Sequence, residues 1–273
     1  MISHYHGSID SLLFLKPVVI ILSILMFHAC VSIAQENNLE GYKKCKNNFV
    51  CGSLVNVGYP FWGIHHTDGG KSRPEYCGLP YYKLDCYDGD IAEIQISEES
   101  YRVLVIDTKS KVMNITNKKF MDDDDACPSK YPVAKFGSSS FVPPDVDTLS
   151  LFFDCSISSD IDNLDEFKFN CLINNNRLSS DGYWHIGIST LFSSSCKNRV
   201  DVPVMPAALR DLTTGAVPAI IKQGFSVPYL SSVSVTTTIN MCETCQSSGG
   251  ACGYNITTEA PACLCGPGGS RGR

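Results

Sequence analysis

The chain has 273 residues, with 22 Lys and Arg against 28 Asp and Glu, a formal charge of −6 at pH 7 and 44% hydrophobic residues. That balance excludes the basic footprint of a nucleic-acid binder, and the length suits two modules of ordinary size better than one. The 14 cysteines are the most informative count, and their meaning depends on the compartment.

The first element is "PVVIILSILMF", Pro17 to Phe27. It has the length of a signal-peptide core and falls short of the roughly 20 residues that a membrane span needs. Ser32 and Ala34 supply the small residues of a cleavage site, which predicts a secretory signal over 1–34 and a mature chain starting at Gln35. The rival reading is a short anchor that is never cleaved. Cleavage removes Cys30 and leaves Cys45, Cys51, Cys77, Cys86, Cys127, Cys155, Cys171, Cys196, Cys242, Cys245, Cys252, Cys263 and Cys265. Outside the cell these are expected in disulfides. Their odd number implies one thiol that is free, bonded to another chain or waiting for a partner this chain lacks, and the odd group from Cys242 to Cys265 is the expected place. Sequons at Asn114-Ile115-Thr116 and Asn255-Ile256-Thr257 fit the same route as glycosylation sites.

From Lys43 to Lys83 the chain is locally basic. Lys43, Lys44, Lys46, Lys71, Arg73 and Lys83 face only Asp68 and Glu75. Such a cluster is usually a solvated face, yet it would steer a polyanion. Inside it lies "GYPFWG", Gly58 to Gly63. Its rings either fill a small core or stack on a ligand. The structural reading, with Phe61 buried and Tyr59 and Trp62 partly so along an extended segment, is the stronger, because a small disulfide-rich module has few other large residues to bury.

Next come "IAEIQI" (Ile91 to Ile96), "YRVLVI" (Tyr101 to Ile106) and "KVMNIT" (Lys111 to Thr116). They alternate or nearly so, are rich in β-branched residues and are separated by short polar turns, which predicts an antiparallel meander. Asp122 to Asp125, Cys127-Pro128, "GSSS" and Pro143-Pro144 break the pattern and mark a linker. Beyond it, "LSLFFDC", "FKFNC", "YWHIGI" and "VDVPV" again read as strands. Only "PAALRDL" (Pro206 to Leu212) and "PAIIKQG" (Pro218 to Gly224) read as helices, each opened by proline.

Catalytic patterns are scarce. No serine sits in a nucleophile signature, and His65-His66 on a loop is a weak metal pattern. The aspartate run lacks the spaced oxygens of a calcium loop, and "GPGGSRGR" lacks the flanking strand and helix of a nucleotide loop. The Cys242-x2-Cys245 group, followed by Cys252, Cys263 and Cys265, reads as a disulfide knot, with a turn after Cys245 rather than a redox-active helix. No metal and no cofactor are expected.

"FVCGSLVNVGYPFWG", "CGLPYYKLDC" and "YRVLVID" together resemble the galacturonan-binding extracellular module of plant wall-associated and leaf-rust-resistance-type receptor-like kinases. "LFFDC", "CKNRVDVPV", "CETCQSSGGACGY" and "CLC" are similar to the C-terminal module that follows it in those receptors. The resemblance implies a mainly β, disulfide-rich ectodomain of two modules with a few short helices. The expected division is a galacturonan-binding module over 35–126, a linker over 127–148, a second cysteine-rich module over 149–265 and a tail over 266–273. It further implies an apoplastic or cell-wall protein that binds pectin or oligogalacturonides. In that case an exposed ring, Tyr59 or Trp62, would stack on sugar while Lys71, Arg73 or Lys83 pairs with uronate carboxylates; for the basic residues, binding and plain solvation stand even. The alternative is a module that meets another extracellular protein. A wall-polymer hydrolase is poorly supported, since no close acidic pair is identifiable. Relatives continue into a membrane helix and a kinase or RING-type domain, neither of which this chain contains, so no kinase activity is expected of it. They also usually carry a tryptophan where this chain reads "GFSVPYL", a departure that bears on packing.

Overall fold

A computed structural model describes residues 35–66, 68–121, 141, 146–157, 164–173, 178–187, 189–229 and 233–266. The signal segment, the aspartate run, Cys127 and all but the first residue of the glycine-rich tail lie outside the described residues. The chain is mainly β, with a few short helices and several disulfides.

Helix α1 (Gln35–Lys46) leads into a hairpin of β1 (Phe49–Cys51) and β2 (Leu54–Val57). The GYPFWG stretch then makes a turn, with a cis Tyr59–Pro60 bond and the Phe61 N–H donating to the Gly58 carbonyl at 2.9 Å. It is not the continuous extended segment expected from sequence. The chain continues into β3 (Trp62–His65), β4 (Lys83–Tyr87), β5 (Ile91–Ile96), β6 (Glu99–Asp107) and β7 (Val112–Asn117). Strands β5 to β7 form the anticipated antiparallel meander, β4 extends it antiparallel on β5, and β3 joins β4 in parallel. Alternation explains the sheet. Ala92, Ile94 and Ile96 face the core while Gln95 faces water.

A second antiparallel sheet is built from β8 (Asp147–Cys155), β9 (Lys168–Ile173), β10 (Leu178–Ile186) and β11 (Cys196–Val204), in the order β11-β8-β10-β9. Its Leu149, Leu151, Phe153, Trp184, Val200 and Val202 make their own core. Helix α2 (Thr190–Ser195) precedes β11 and is capped by Ser189, whose side chain accepts from the Phe192 N–H. Pro206–Asp211 is a 3-10 helix rather than an α-helix. Helix α3 (Val217–Gln223) has the proline near its start and Gly224 at its end that the sequence advertised.

Strand β12 (Phe225–Pro228) then returns to the first sheet and pairs antiparallel with β7, Phe225 opposite Ile115. The approach is close enough that a Cβ on Gly224, whose φ is +71°, would lie 2.2 Å from the Ile115 carbonyl oxygen. Only glycine is accommodated there. Phe225, Val227 and Tyr229 all enter the first core, so the tryptophan usual at this place in relatives is not needed for packing. Helix α4 (Val233–Ser247) and the hairpin β13 (Ala251–Asn255) and β14 (Ala260–Leu264) complete the chain. The hairpin packs on α1 around Tyr42, Cys45, Cys77 and Ala251, and α4 packs on the hairpin.

Bridges join Cys45 to Cys77, Cys51 to Cys86, Cys155 to Cys196, Cys242 to Cys252 and Cys245 to Cys263. Cys242 and Cys245 sit on α4. Cys171 lies on β9 with its side chain outside the description, and Cys265 follows β14, half-buried.

Phe61 is the centre of the first core. Its ring meets Tyr229 at 5.0 Å and Tyr82 at 5.6 Å, both edge to face, and Tyr82 meets Phe141 at 5.1 Å. Truncation leaves a cavity lined by rings that cannot collapse into it. Phe61→Ala is expected to cost about 3 kcal/mol, read as a lowered melting temperature; an unchanged melt would show the ring to be dispensable for the fold.

Candidate functional site

The side chains expected to meet a ligand fall into two groups. Arg73 is 3% exposed and belongs to the framework. Its backbone exchanges two hydrogen bonds with Gly63, and its guanidinium donates from Nε to the Phe61 carbonyl at 3.1 Å, from Nη1 to the Asn47 carbonyl and from Nη2 to the Cys77 carbonyl at 3.2 Å. Burial pulls its pKa down to about 10, so it keeps its charge at neutral pH. The expectation of an exposed cation at Arg73 is therefore corrected. Trp62 is buried as well, with Nε1 donating to the Leu79 carbonyl at 2.9 Å. Tyr59 packs half-buried against the core, and burial first, then Tyr82 and Tyr254, pushes its hydroxyl pKa upward. Neither ring is free to lie flat on a sugar.

Lys83 stays at the surface. Strand β4 alternates Leu84 and Cys86 inward with Lys83, Asp85 and Tyr87 outward. The Lys83 Nζ and the His66 Nε2 each lie 2.8 Å from Asp85 Oδ1. Burial pushes the Asp85 carboxyl upward, but the hydrogen bonds and charges of Lys83 and His66 outweigh it and hold the carboxyl below its ordinary value. The His66 ring stacks on Tyr87 with centroids 4.6 Å apart. Lys118 Nζ lies 5.7 Å from the same Tyr87 centroid and 2.9 Å from Glu93 Oε2, while Arg102 approaches Glu93 Oε1 at 3.9 Å. Three permanent cations, Lys83, Arg102 and Lys118, thus face two carboxylates, Asp85 and Glu93. The exposed rings in this part of the chain are ones the sequence did not single out: Tyr87, 38% exposed and stacked on one side by His66, and Tyr81, 74% exposed on the 3-10 turn before β4. Lys71 is exposed on the loop after β3.

Two arrangements bear on catalysis. Asp85 stands directly opposite Glu93 in the β4–β5 register, an acidic pair that only strand pairing reveals. A glycosidase needs one carboxyl kept protonated as the acid. Asp85 is instead pulled below its ordinary value, and Glu93 is held between two cations. On the second sheet, register places Ser150 between His185 and Asp201. Nucleophilic catalysis needs the histidine between serine and acid; here Ser150 Oγ donates to Asp201 Oδ1 at 2.7 Å, an oxygen that Arg199 also holds at 2.8 Å. His65 and His66 turn to different partners, His65 Nε2 to the Val50 carbonyl at 2.8 Å and His66 to Asp85.

Residues 45–117 match the family model described as wall-associated receptor kinase galacturonan-binding, and residues 170–268 match the one described as wall-associated receptor kinase C-terminal. Three relatives from Arabidopsis thaliana are leaf rust 10 disease-resistance locus receptor-like protein kinases. The like 2.8 protein is 30% identical over 243 residues, covering 83% of this chain and 25% of the relative. The like 2.1 protein is 25% identical over 260 residues, 90% of this chain and 37% of the relative. The like 2.5 protein is 26% identical over 255 residues, 86% and 35% respectively. The chain therefore spans little more than a third of these relatives at most. No solved structure matches it. The outward row of β4, with His66, Glu93 and Arg102, lies inside the first matched stretch, and Lys118 follows it directly.

Arg73 and Asp85 yield separate tests. Arg73→Gln strands buried carbonyls and is expected to cost roughly 2–4 kcal/mol, with Arg73→Lys a poor rescue because one ammonium lacks the guanidinium's spread of donors. A melt like the parent's would remove Arg73 from the framework. Asp85, its pKa depressed by folding, contributes stability above the ordinary value of 3.8 and loses it as pH falls through the lowered one. Asp85→Asn should flatten the acid limb of melting temperature against pH below about pH 4; an equally steep limb would show the carboxylate is not held by Lys83 and His66.

Proposed function

We propose that this chain, which belongs to the family of extracellular regions of wall-associated and leaf-rust-resistance-type receptor-like kinases, binds acidic cell-wall polysaccharide of the pectin or oligogalacturonide class. These ectodomain families imply an extracellular, cell-wall location. Among the described residues no helix is long and apolar enough to cross a membrane.

The observation that carries the reading is the outward row of β4. It sets an exposed ring, Tyr87, among Lys83, His66 and Lys118, with Tyr81 nearby in the chain. Sugar rings have apolar faces that lie against aromatics, and uronate carboxylates seek cations. Lys83, Lys118 and His66 gather around one ring on this face, and clustered cations steer a polyanion. A second reading, contact with another extracellular protein, draws on Val50 and Val55, both exposed on the β1–β2 hairpin.

Calorimetric titration with oligogalacturonides decides between them. Affinity should fall with added salt, since exposed charges are screened over about 10 Å at 0.1 M. The double substitution Lys71→Gln and Lys83→Gln, which spares Arg73, should weaken binding roughly tenfold, from two exposed contacts of up to ~1 kcal/mol each, with melting still cooperative and only slightly lowered by loss of the Lys83–Asp85 pair. Affinity indifferent to both salt and substitution would reject the face and favour the protein-contact reading.

A further inference from the structure

We propose that the fold divides the two sequons: Asn255 is the acceptor of an N-linked glycan, and Asn114 is a structural side chain that carries none in the folded protein. The sequence pattern alone treats them alike. Their surroundings differ: Asn114 is half-buried within a sheet and Asn255 is exposed at the end of a hairpin strand.

Asn114 lies on β7, between Val105 of β6 and Ser226 of β12. Its Nδ2 donates to the Gln223 carbonyl at 3.1 Å, and its Oδ1 is buried. The hydroxyl residue of the same sequon, Thr116, is 2% exposed and donates from Oγ1 to the Ile221 carbonyl at 2.9 Å. Both polar side chains of this sequon thus serve the last turn of α3, whose final carbonyls lack partners within the helix. The neighbouring Gly224 approaches so closely that its absent Cβ would sit 3.3 Å from Asn114 Oδ1. A sugar on Nδ2 would leave that nitrogen one hydrogen, already committed to the Gln223 carbonyl, and would have to leave from between β6 and β12 beside the close approach of Gly224.

Asn255 is exposed at the end of β13. Its Oδ1 accepts from the N–H groups of Thr257 at 2.9 Å and Thr258 at 3.1 Å, and its Nδ2 has no hydrogen-bond partner among the described residues. The turn that follows is solvent-facing, with Ile256 at its tip 54% exposed. In the transfer, Nδ2 bonds to the anomeric carbon of a lipid-diphosphate-linked oligosaccharide. The bond from that carbon to the diphosphate oxygen breaks, its electron pair leaves with the lipid diphosphate, and the amide gives up one proton. This assignment needs passage through a secretory lumen and is independent of the ligand proposed above.

The full chain is produced in a eukaryotic secretory host and recovered from the medium. Its glycans are removed enzymatically in heavy-oxygen water, so that every formerly glycosylated Asn becomes a mass-labelled Asp, and the peptides are mapped. The label is expected at residue 255 and not at 114, and Asn255→Gln should remove the one N-linked mobility step on a gel. A glycan on Asn114 in secreted protein that still melts cooperatively overturns the proposal, as does an unlabelled residue 255 in that material.

Discussion

A single buried cation, the Arg73 guanidinium, fixes how the first module is put together. Unlike the exposed lysines it has carbonyls for partners: those of Asn47 just beyond α1, Phe61 in the aromatic turn and Cys77, which also bonds Cys45 of α1. Removing a guanidinium from water is costly unless its donors are satisfied, and hydrogen bonds from an ionised donor are stronger than neutral ones. The planar fork of arginine spreads those donors in a way one ammonium cannot. By holding the Phe61 carbonyl and pairing its backbone with Gly63, Arg73 seats β3 alongside β4. With β4 then covered on its inner side, Lys83, Asp85 and Tyr87 have only the outer side left, and the candidate face follows from the framework.

The two stretches matched by family models are consecutive in sequence but not independent in space. Strand β12 completes the first sheet, Tyr229 packs on Phe61, and the β13–β14 hairpin rests against α1 and Tyr76. Burial of apolar area across such returns couples the ends of the chain, because neither core can be filled by its own neighbours in sequence alone. Disulfides act on the same problem from the other side. Cys45–Cys77 and Cys51–Cys86 tie down the aromatic turn and β4 within the N-terminal stretch, while Cys242–Cys252 and Cys245–Cys263 lock α4 to the terminal hairpin.

What could be read from sequence was what short-range pattern determines. Ile91–Ile96 is a strand with the expected bounds, the later strands lie where "LSLFFDC" and "VDVPV" indicated, and Pro218 with Gly224 framed a true helix. Helix α4 is not announced by the sequence, because "VSVTTTIN" is dense in β-branched residues of weak helix propensity, and tertiary packing with two disulfides overrides that preference. Arg73 looked like one basic residue among six. Its burial depends on carbonyls 26, 12 and 4 residues away, which no local window contains. For the same reason Asp85 and Glu93 become neighbours only through the pairing of β4 with β5, and the sequence favours Tyr59 and Trp62, whose rings the core absorbs, over the exposed Tyr81 and Tyr87.

The internal pairing of the candidate face suits the ligand class proposed for it. Unpaired lysines clustered on a sheet would repel one another and hold no fixed geometry. Here Asp85 and Glu93 hold Lys83, Lys118 and His66 around Tyr87 before anything binds, so little side-chain order remains to be imposed. An arriving uronate must share cations with those carboxylates, which keeps each contact weak, on the order of 1 kcal/mol or less for an exposed pair. Weak contacts are sufficient when the ligand is a polymer of one repeating acid. Each bound residue raises the effective concentration of the next, so affinity grows with chain length while any single contact stays exchangeable. On the ligand proposed, a face of this kind would distinguish long polyuronate from short fragments by multiplicity rather than by a deep pocket.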